Sequence, residues 1–330
     1  GFFAGLWHEL KRLFWSFVID YNQIGNVSDG KDSTAITLWI GTGRDQANVI
    51  KSLIDATFTP SSGINVNVQL VDMNTLLRAT LAGEGPDVAI QVPNTNGAAG
   101  AVLSSGNDSA VNYGIRNAVL DMTRFPDYEE VVSRFSDSAM VQLQFNGATY
   151  GLPETQTFPM MFYRKDILAD LGIDVPKTWD DVLAAVTVLQ ANNMQIGLQR
   201  DVDLFIYQFG GDRWADNGMR CGLDSNIVLE SFQYYCEFYT MYSFPVSYDA
   251  SNRFRTGEMP LAIDSFVAYN TLAVSAPEIN GRWGYTLIPG TEATDDKGNV
   301  YIDHTVHVTT NCSLILKDNI NYDLSWKFLK

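Results

Sequence analysis

Apolar and polar residues fall into two rhythms along this chain. Residues Ala35 to Ile40 form an apolar run that predicts a buried strand, and helical spacing of Val49, Ile50, Leu53 and Ile54 follows it. Ile64, Val66, Val68 and Leu70 alternate with Asn65, Asn67 and Gln69, the period of a second strand, and Met73, Leu76, Leu77 and Leu81 return to helical spacing. Gly83-Glu84-Gly85-Pro86 stops that helix, and Asp87 to Val92 predicts a third strand. Strands that alternate with helices need crossover connections, which predicts an α/β protein with a largely parallel sheet.

The stretch from Tyr150 to Asn193 organises the remainder. It predicts a strand over Met160 to Tyr163, a helix closed by Gly172, and a turn at Pro176. A second helix starts at Thr178, an N-cap with Asp181 three residues on, so that each side chain satisfies an exposed N–H of the other end. Trp179, Val182, Leu183, Val186 and Leu189 then give that helix one apolar face. Asn146-Gly147 marks a hairpin turn just upstream. Downstream, Leu204 to Gly211 predicts an aromatic helix with a Gly-Gly end. Leu229 to Tyr242 predicts a longer one whose Phe232, Tyr235, Phe238, Tyr239 and Tyr242 belong to a core. Trp283 to Pro289 and His304 to Leu316 predict further strands, and Asp323 to Lys330 a closing helix.

The start has a different character. Phe2, Phe3, Leu6, Leu10, Leu13, Phe14, Phe17, Val18 and Tyr21 lie at helical spacing, interrupted by His8, Glu9, Lys11 and Arg12. This predicts an amphipathic helix too charged to span a bilayer, suited either to a membrane interface or to packing on a protein surface. Gly25 to Ser33 reads as a polar linker. A chain opening in this way is expected to be cut from a longer protein.

Composition narrows the chemistry. At 330 residues the chain is long enough for two domains, and a formal net charge of −16 argues against a nucleic-acid partner, because no basic stripe exists to displace counterions from phosphates. Three cysteines allow at most one internal disulfide, Cys221 with Cys236, and Cys312 follows an apolar pattern as a buried small residue. No His or Cys spacing marks a metal site, and no cofactor is implied. Gly41-Thr42-Gly43-Arg44-Asp45 is too short for a dinucleotide fingerprint and lacks the P-loop lysine.

Three pieces in order, Tyr150 to Pro153, Tyr163-Arg164-Lys165-Asp166 and Pro176-Lys177-Thr178-Trp179-Asp180-Asp181, resemble the extracellular solute-binding proteins of ABC importers, the sugar-binding family that includes the maltose-binding proteins. The likeness extends more weakly from about Thr34 to Lys330. It implies a periplasmic-binding-protein-like fold, two α/β lobes joined by a multi-strand hinge with a ligand cleft between them. The expected boundaries are 1–32 for leader and linker, 33–157 plus 303–330 for the first lobe, and 158–302 for the second. The family's closing C-terminal part of the second lobe is expected to lie outside these residues, supplied by another segment or lost by truncation. Carried over residue by residue, the resemblance places Arg44 and then Gln91, Asn94 and Thr95 at the cleft. It also places Thr157 there, with Glu154 and Gln156 as neighbours able to substitute for it. From the second lobe come Arg200 with Asp203, and Asp264, Ser265, Phe266 and Tyr269. Trp214, past the Gly-Gly helix end, is the expected aromatic platform for a sugar. Local readings compete at three of these: Arg44 as a surface ion-pair partner, Asp264 as an N-cap, and Trp214 as a cover over a helix end. Where sugar binders commonly place an aromatic ring, this chain has Gln91, a departure that weighs against a maltose-like ligand. Amides there still donate and accept toward a hydroxyl-rich solute.

The resemblance thus implies an extracellular or membrane-tethered, monomeric receptor without enzymatic activity. It would bind a solute, expected to be an oligosaccharide, and present it to importer permease subunits. Other readings stand beside it: a peptide or another polar solute as ligand, a sensing module fused to transmembrane segments, and a glycoside hydrolase using Glu154 and Asp264 as a carboxylate pair.

Overall fold

A computed structural model describes residues 35–94, 109–216, 219–317 and 321–330 of the protein. The leader and linker expected over residues 1–32, and Thr95, lie outside the described residues. In chain order, the first unit begins with β1 (Ala35–Ile40), α1 (Arg44–Leu53), β2 (Asn65–Leu70), α2 (Leu76–Leu81), β3 (Val88–Asn94) and α3 (Ala110–Ile115). It continues to β4 (Leu152–Thr157). The second unit holds β5 (Pro159–Arg164), α4 (Lys165–Leu171), α5 (Trp179–Ala191), β6 (Ile196–Leu198) and α6 (Val202–Gln208). A short ribbon of β7 (Trp214–Ala215) and β8 (Arg220–Cys221) follows, then α7 (Asn226–Thr240), α8 (Ala250–Thr256), β9 (Leu261–Ser265), α9 (Val267–Ser275) and β10 (Trp283–Thr286). The chain then returns to the first unit with β11 (Thr309–Ile315) and α10 (Tyr322–Leu329). The described residues up to 156 and from 310 onward cluster as one compact unit, and 157–309 as the other.

The first sheet has the order β2-β1-β3-β11-β4, with β1 parallel to β2 and β3, and β11 antiparallel to β3. Both faces are covered. Ile36, Leu38 and Ile40 pack with Val66, Val68 and Val88 into one cluster, while Trp39, Ala89, Val92 and Tyr113 join Cys312 and Leu314 in another. α10 closes this unit, with Trp326 stacked on Phe125 at 4.5 Å and Phe328 edge-on to Phe58 at 5.1 Å.

The second sheet has the order β10-β5-β9-β6. Here the expectation of largely parallel pairing fails, because β5 runs antiparallel to both β9 and β10 and only β9–β6 is parallel. Strand direction is set by partners about a hundred residues away, to which local periodicity is blind. One face packs on α5, α6 and α7 through Trp179, Phe205 and Phe238, and the other on α8 and α9 through Phe162, Phe254 and Leu272. The Trp179 indole N–H donates to Gln208 Oε1 at 2.7 Å, so the large buried ring keeps its polar handle satisfied.

Four further expectations are corrected. In α1 it is Ala47, Lys51 and then Ile54 that are buried, while Val49 and Leu53 face solvent. Lys51 buries its aliphatic stem and ends 2.5 Å from Asp55, so the helix is turned relative to its apolar count. In α7 the aromatic stripe is core except Phe232, which is exposed while Ser231 takes the buried position and returns its hydroxyl to Ile227 O. Residues 303–309, expected in the first lobe, belong to the second unit. His304 Nδ1 lies 2.6 Å from Ile288 O and His307 Nδ1 lies 3.0 Å from Asp201 Oδ2, contacts that hold this segment to the second unit's own elements. All three cysteines are free thiols, so no Cys221–Cys236 bridge exists. Among the described residues no helix is long and apolar enough to cross a membrane.

Candidate functional site

In the first unit two of the expected site residues, Gln91 and Glu154, meet at a break in the β3–β11 ladder. Cys312 pairs with Val92 and Leu314 with Ala89, so two residues of β3 oppose Ser313 alone. Gln91 absorbs the extra residue in a left-handed conformation, φ 55°, which a non-glycine residue adopts at a cost of about 1–2 kcal/mol. Its N–H turns out of the ladder and donates to Glu154 Oε1 at 2.9 Å, and the Ser313 hydroxyl donates to the same oxygen. Glu154 is exposed as a residue, yet its carboxyl is turned onto these donors. Desolvation of the carboxyl raises its pKa above its ordinary value, against the opposing pull of the two hydrogen bonds.

Other first-unit residues divide sharply. Arg44, the first residue of α1, is exposed. Asn94 is buried and accepts from Ala110 N at 3.0 Å, tying the end of β3 to the start of α3, so its amide oxygen serves the scaffold. Gln156 Nε2 and Thr310 Oγ1 are buried without a hydrogen-bond partner among the described residues, a state that native structures rarely leave unexplained.

In the second unit several of the expected site residues cluster around the β5–β9 pair. Its antiparallel ladder extends one rung beyond Ser265 and Pro159, because Phe266 N donates to Phe158 O at 2.8 Å. Phe158 and Phe266 are therefore cross-strand neighbours, and their rings lie 14° from parallel with centroids 5.6 Å apart. Tyr269, one helical turn further on, stacks on Phe266 at 5.7 Å and 10°. Near-parallel rings so spaced are offset rather than face to face, so the three form a staircase with each tread partly uncovered. Tyr269 in turn meets the edges of Trp283 at 5.7 Å and Tyr285 at 5.4 Å.

Polar groups flank this staircase. Thr157 Oγ1 and Ser265 Oγ share a hydrogen bond of 2.7 Å, and Ser265 Oγ also accepts from Val267 N at 3.3 Å at the opening of α9. Asp264 Oδ1 accepts from the adjacent Ser265 N at 2.7 Å, a local contact rather than a helix cap, and burial raises its pKa. Tyr248 lies close enough that Asp264 adds to the burial that pushes the phenol pKa above its ordinary value. The staircase thus brings together Thr157, Asp264, Ser265 and Tyr269 from the sequence expectations. Arg200 is exposed in the segment before α6. Trp214, 62% exposed, lies on the β7–β8 ribbon, and its backbone N–H is held by Asp212 Oδ1 at 3.0 Å. Asp203 is buried in an ion pair with Arg213, part of the scaffold.

Sequence reasoning missed Phe158 as part of the staircase and Trp283 and Tyr285 at its foot. Their apolar character was visible, whereas their meeting depends on the β5–β9–β10 register. Among the described residues no group of three His, Cys, Asp or Glu side chains could hold a metal.

These two sheets and the residues around them define a known class. The chain belongs to the bacterial extracellular solute-binding protein family, whose sequence model matches residues 43–312. Among solved structures, the sugar-binding protein MalE from Xanthomonas citri is similar at 19% identity and TM-score 0.68, covering 90% of this chain and 74% of its own. The ABC substrate-binding protein Lmo0181 from Listeria monocytogenes, in complex with cycloalternan, gives 19%, 0.66, 90% and 74%. An ABC transporter solute-binding protein from Thermotoga lettingae, bound with alpha-D-tagatose, gives 19%, 0.63, 90% and 76%. At this identity the likeness establishes the periplasmic-binding-protein fold. No curated protein sequence matches the chain.

Proposed function

We propose that this protein captures a carbohydrate and delivers it to the membrane subunits of an ABC-type importer, outside the cell and without catalysing a reaction. The observation that carries this reading is the Phe158–Phe266–Tyr269 staircase beside Thr157, Ser265 and Asp264. A sugar has apolar C–H faces and hydroxyl edges, and a site suited to it offers ring faces beside groups that donate and accept. Similar structures that hold cycloalternan and tagatose support the carbohydrate class over peptides. The staircase supplies in the second unit the aromatic surface that Gln91 does not supply in the first. Arg44, Gln91, Glu154, Gln156 and Thr310 of the first unit, and Arg200 and Trp214 of the second, are proposed as further ligand contacts. The buried, unpaired polar atoms of Gln156 and Thr310 favour a hydrogen-bonding guest.

A thermal-shift screen over neutral saccharides, acidic saccharides and peptides tests the reading. A ligand bound only by the native state at a hundred times its Kd stabilises by about 2.7 kcal/mol, which is a readily measured rise in Tm. Tyr269→Ala is expected to weaken the saccharide about tenfold with the fold retained. Shifts with peptides and none with any saccharide would overturn the carbohydrate assignment. Release of product from a chromogenic glycoside, abolished by Glu154→Gln, would instead establish a hydrolase.

A further inference from the structure

Beyond the staircase, the second unit carries an open cavity of about 360 Å3 against β10, the edge strand of its sheet. Tyr163, Tyr269, Trp283 and Tyr285 wall it, and Lys165 and Asn280 stand at its rim. That volume lies at the lower end of small-molecule sites, about 300–1,000 Å3. Its construction depends on one glycine. A Cβ on Gly284 would meet the Tyr163 ring and hydroxyl at 2.8 Å and Lys165 Cε at 3.0 Å, so the bare backbone there is what lets both side chains lie across the edge strand. The other walls are held by ring contacts, Trp283 against Phe162 and Phe254, and Tyr285 against Phe162 and Phe266. The cavity is therefore shaped before anything enters it, which lowers the entropic cost of binding.

Its polar groups are uncommitted. Among the described residues the hydroxyls of Tyr163, Tyr269 and Tyr285 and the side chains of Lys165 and Asn280 make no hydrogen bond or ion pair to the protein. The neighbouring cation, Arg164, is by contrast fully used, paired with Asp166 at 2.7 Å and donating to Phe254 O and Arg255 O at 3.1 Å. Aromatic walls with three phenol hydroxyls and an amide suit a sugar ring. An ammonium without a protein carboxylate suits an anionic substituent on that ring. Tyr269 belongs both to the staircase and to this cavity, so one chain of sugars running over it reaches both.

We infer that this cavity is a second saccharide subsite that selects an acidic terminal sugar through Lys165; this rests on the carbohydrate reading above. Titration calorimetry at low salt compares a neutral trisaccharide with its counterpart ending in a uronic acid. The uronate is expected to bind about tenfold more tightly, an advantage that shrinks as salt screens the exposed lysine. Lys165→Met, an exposed substitution whose fold is verified by its melting curve, is expected to make the two sugars bind alike. Gly284→Ala, which displaces Tyr163 and the Lys165 stem beside it, is expected to reduce the uronate preference as well. Neutral and acidic sugars bound equally by the unaltered protein, or a preference that survives Lys165→Met, would overturn the subsite while leaving the carbohydrate reading intact. No binding of either sugar would overturn both. A sulfated counterpart bound as tightly as the uronate would assign the selection to charge alone and support Lys165, whereas a preference for the uronate independent of salt would count against it.

Discussion

His307 stands 3.0 Å by Nδ1 from Asp201 Oδ2, three residues before the chain returns to the first unit, and Asp203 and Arg213 lie beside the pair. Asp201 raises the imidazole pKa above 6.5, outweighing the burial that lowers it, with Asp203 adding to the rise and Arg213 opposing it. A group whose folded pKa exceeds its unfolded value stabilises fully below the unfolded pKa and loses that contribution as pH climbs through the folded one. The stability difference between the protein and His307→Gln is therefore expected to be largest below about pH 6.5 and to shrink at higher pH. Urea midpoints across pH 6 to 9 measure it, and a difference that stays constant would show that the pair is not titrating there. Residue-scale features of this kind left little trace in the sequence. Nothing around Gln91 announces a left-handed bulge, because the need for one arises from Ser313 and Glu154, 222 and 63 positions away. Asn94 was legible as a polar residue at a strand end, but its engagement by Ala110 N was not.

At the scale of elements the sequence spoke more plainly. The Thr178 N-cap forms a complete capping box, with Thr178 Oγ1 accepting from Asp181 N at 3.1 Å and Asp181 Oδ2 accepting from Thr178 N at 2.9 Å. The N–H of Lys177 joins at 2.9 Å and is the largest of the contacts that lower the Asp181 pKa. Thr178→Ala is expected to cost about 1 kcal/mol in urea denaturation, with the helix retained. A loss no larger than that of an arbitrary surface substitution would mean the cap is redundant with the bridge from Thr178 to Gly290. Asn146-Gly147 turns its hairpin with both residues at positive φ, 51° and 79°, as the dipeptide predicts. These motifs are legible because their partners lie within four residues. The buried face of α1 was misjudged for the converse reason, since only the sheet beneath it decides that Lys51 rather than Leu53 turns inward.

For the whole molecule, each unit has a hydrophobic interior of its own. Phe205, fully buried, touches Trp179, Tyr234, Tyr235 and Phe238 at ring distances of 4.6 to 5.9 Å. Phe205→Ala is expected to cost about 3–5 kcal/mol, because a cavity remains where rings on four sides cannot all collapse. Chemical denaturation checks this, and a loss under about 1 kcal/mol would mean the cluster repacks freely. What the sequence alone determined were the matters settled by neighbours along the chain: the order of strands and helices, the caps and turns, the acidic surface, and the motif pieces that resemble the family. Tertiary structure decided which strands run antiparallel, which rings of Phe158, Phe266 and Tyr269 meet, and which polar groups face them. A period of two or 3.6 residues encodes which face of an element is apolar, but pairing between residues a hundred positions apart depends on the energy of the whole packed interior.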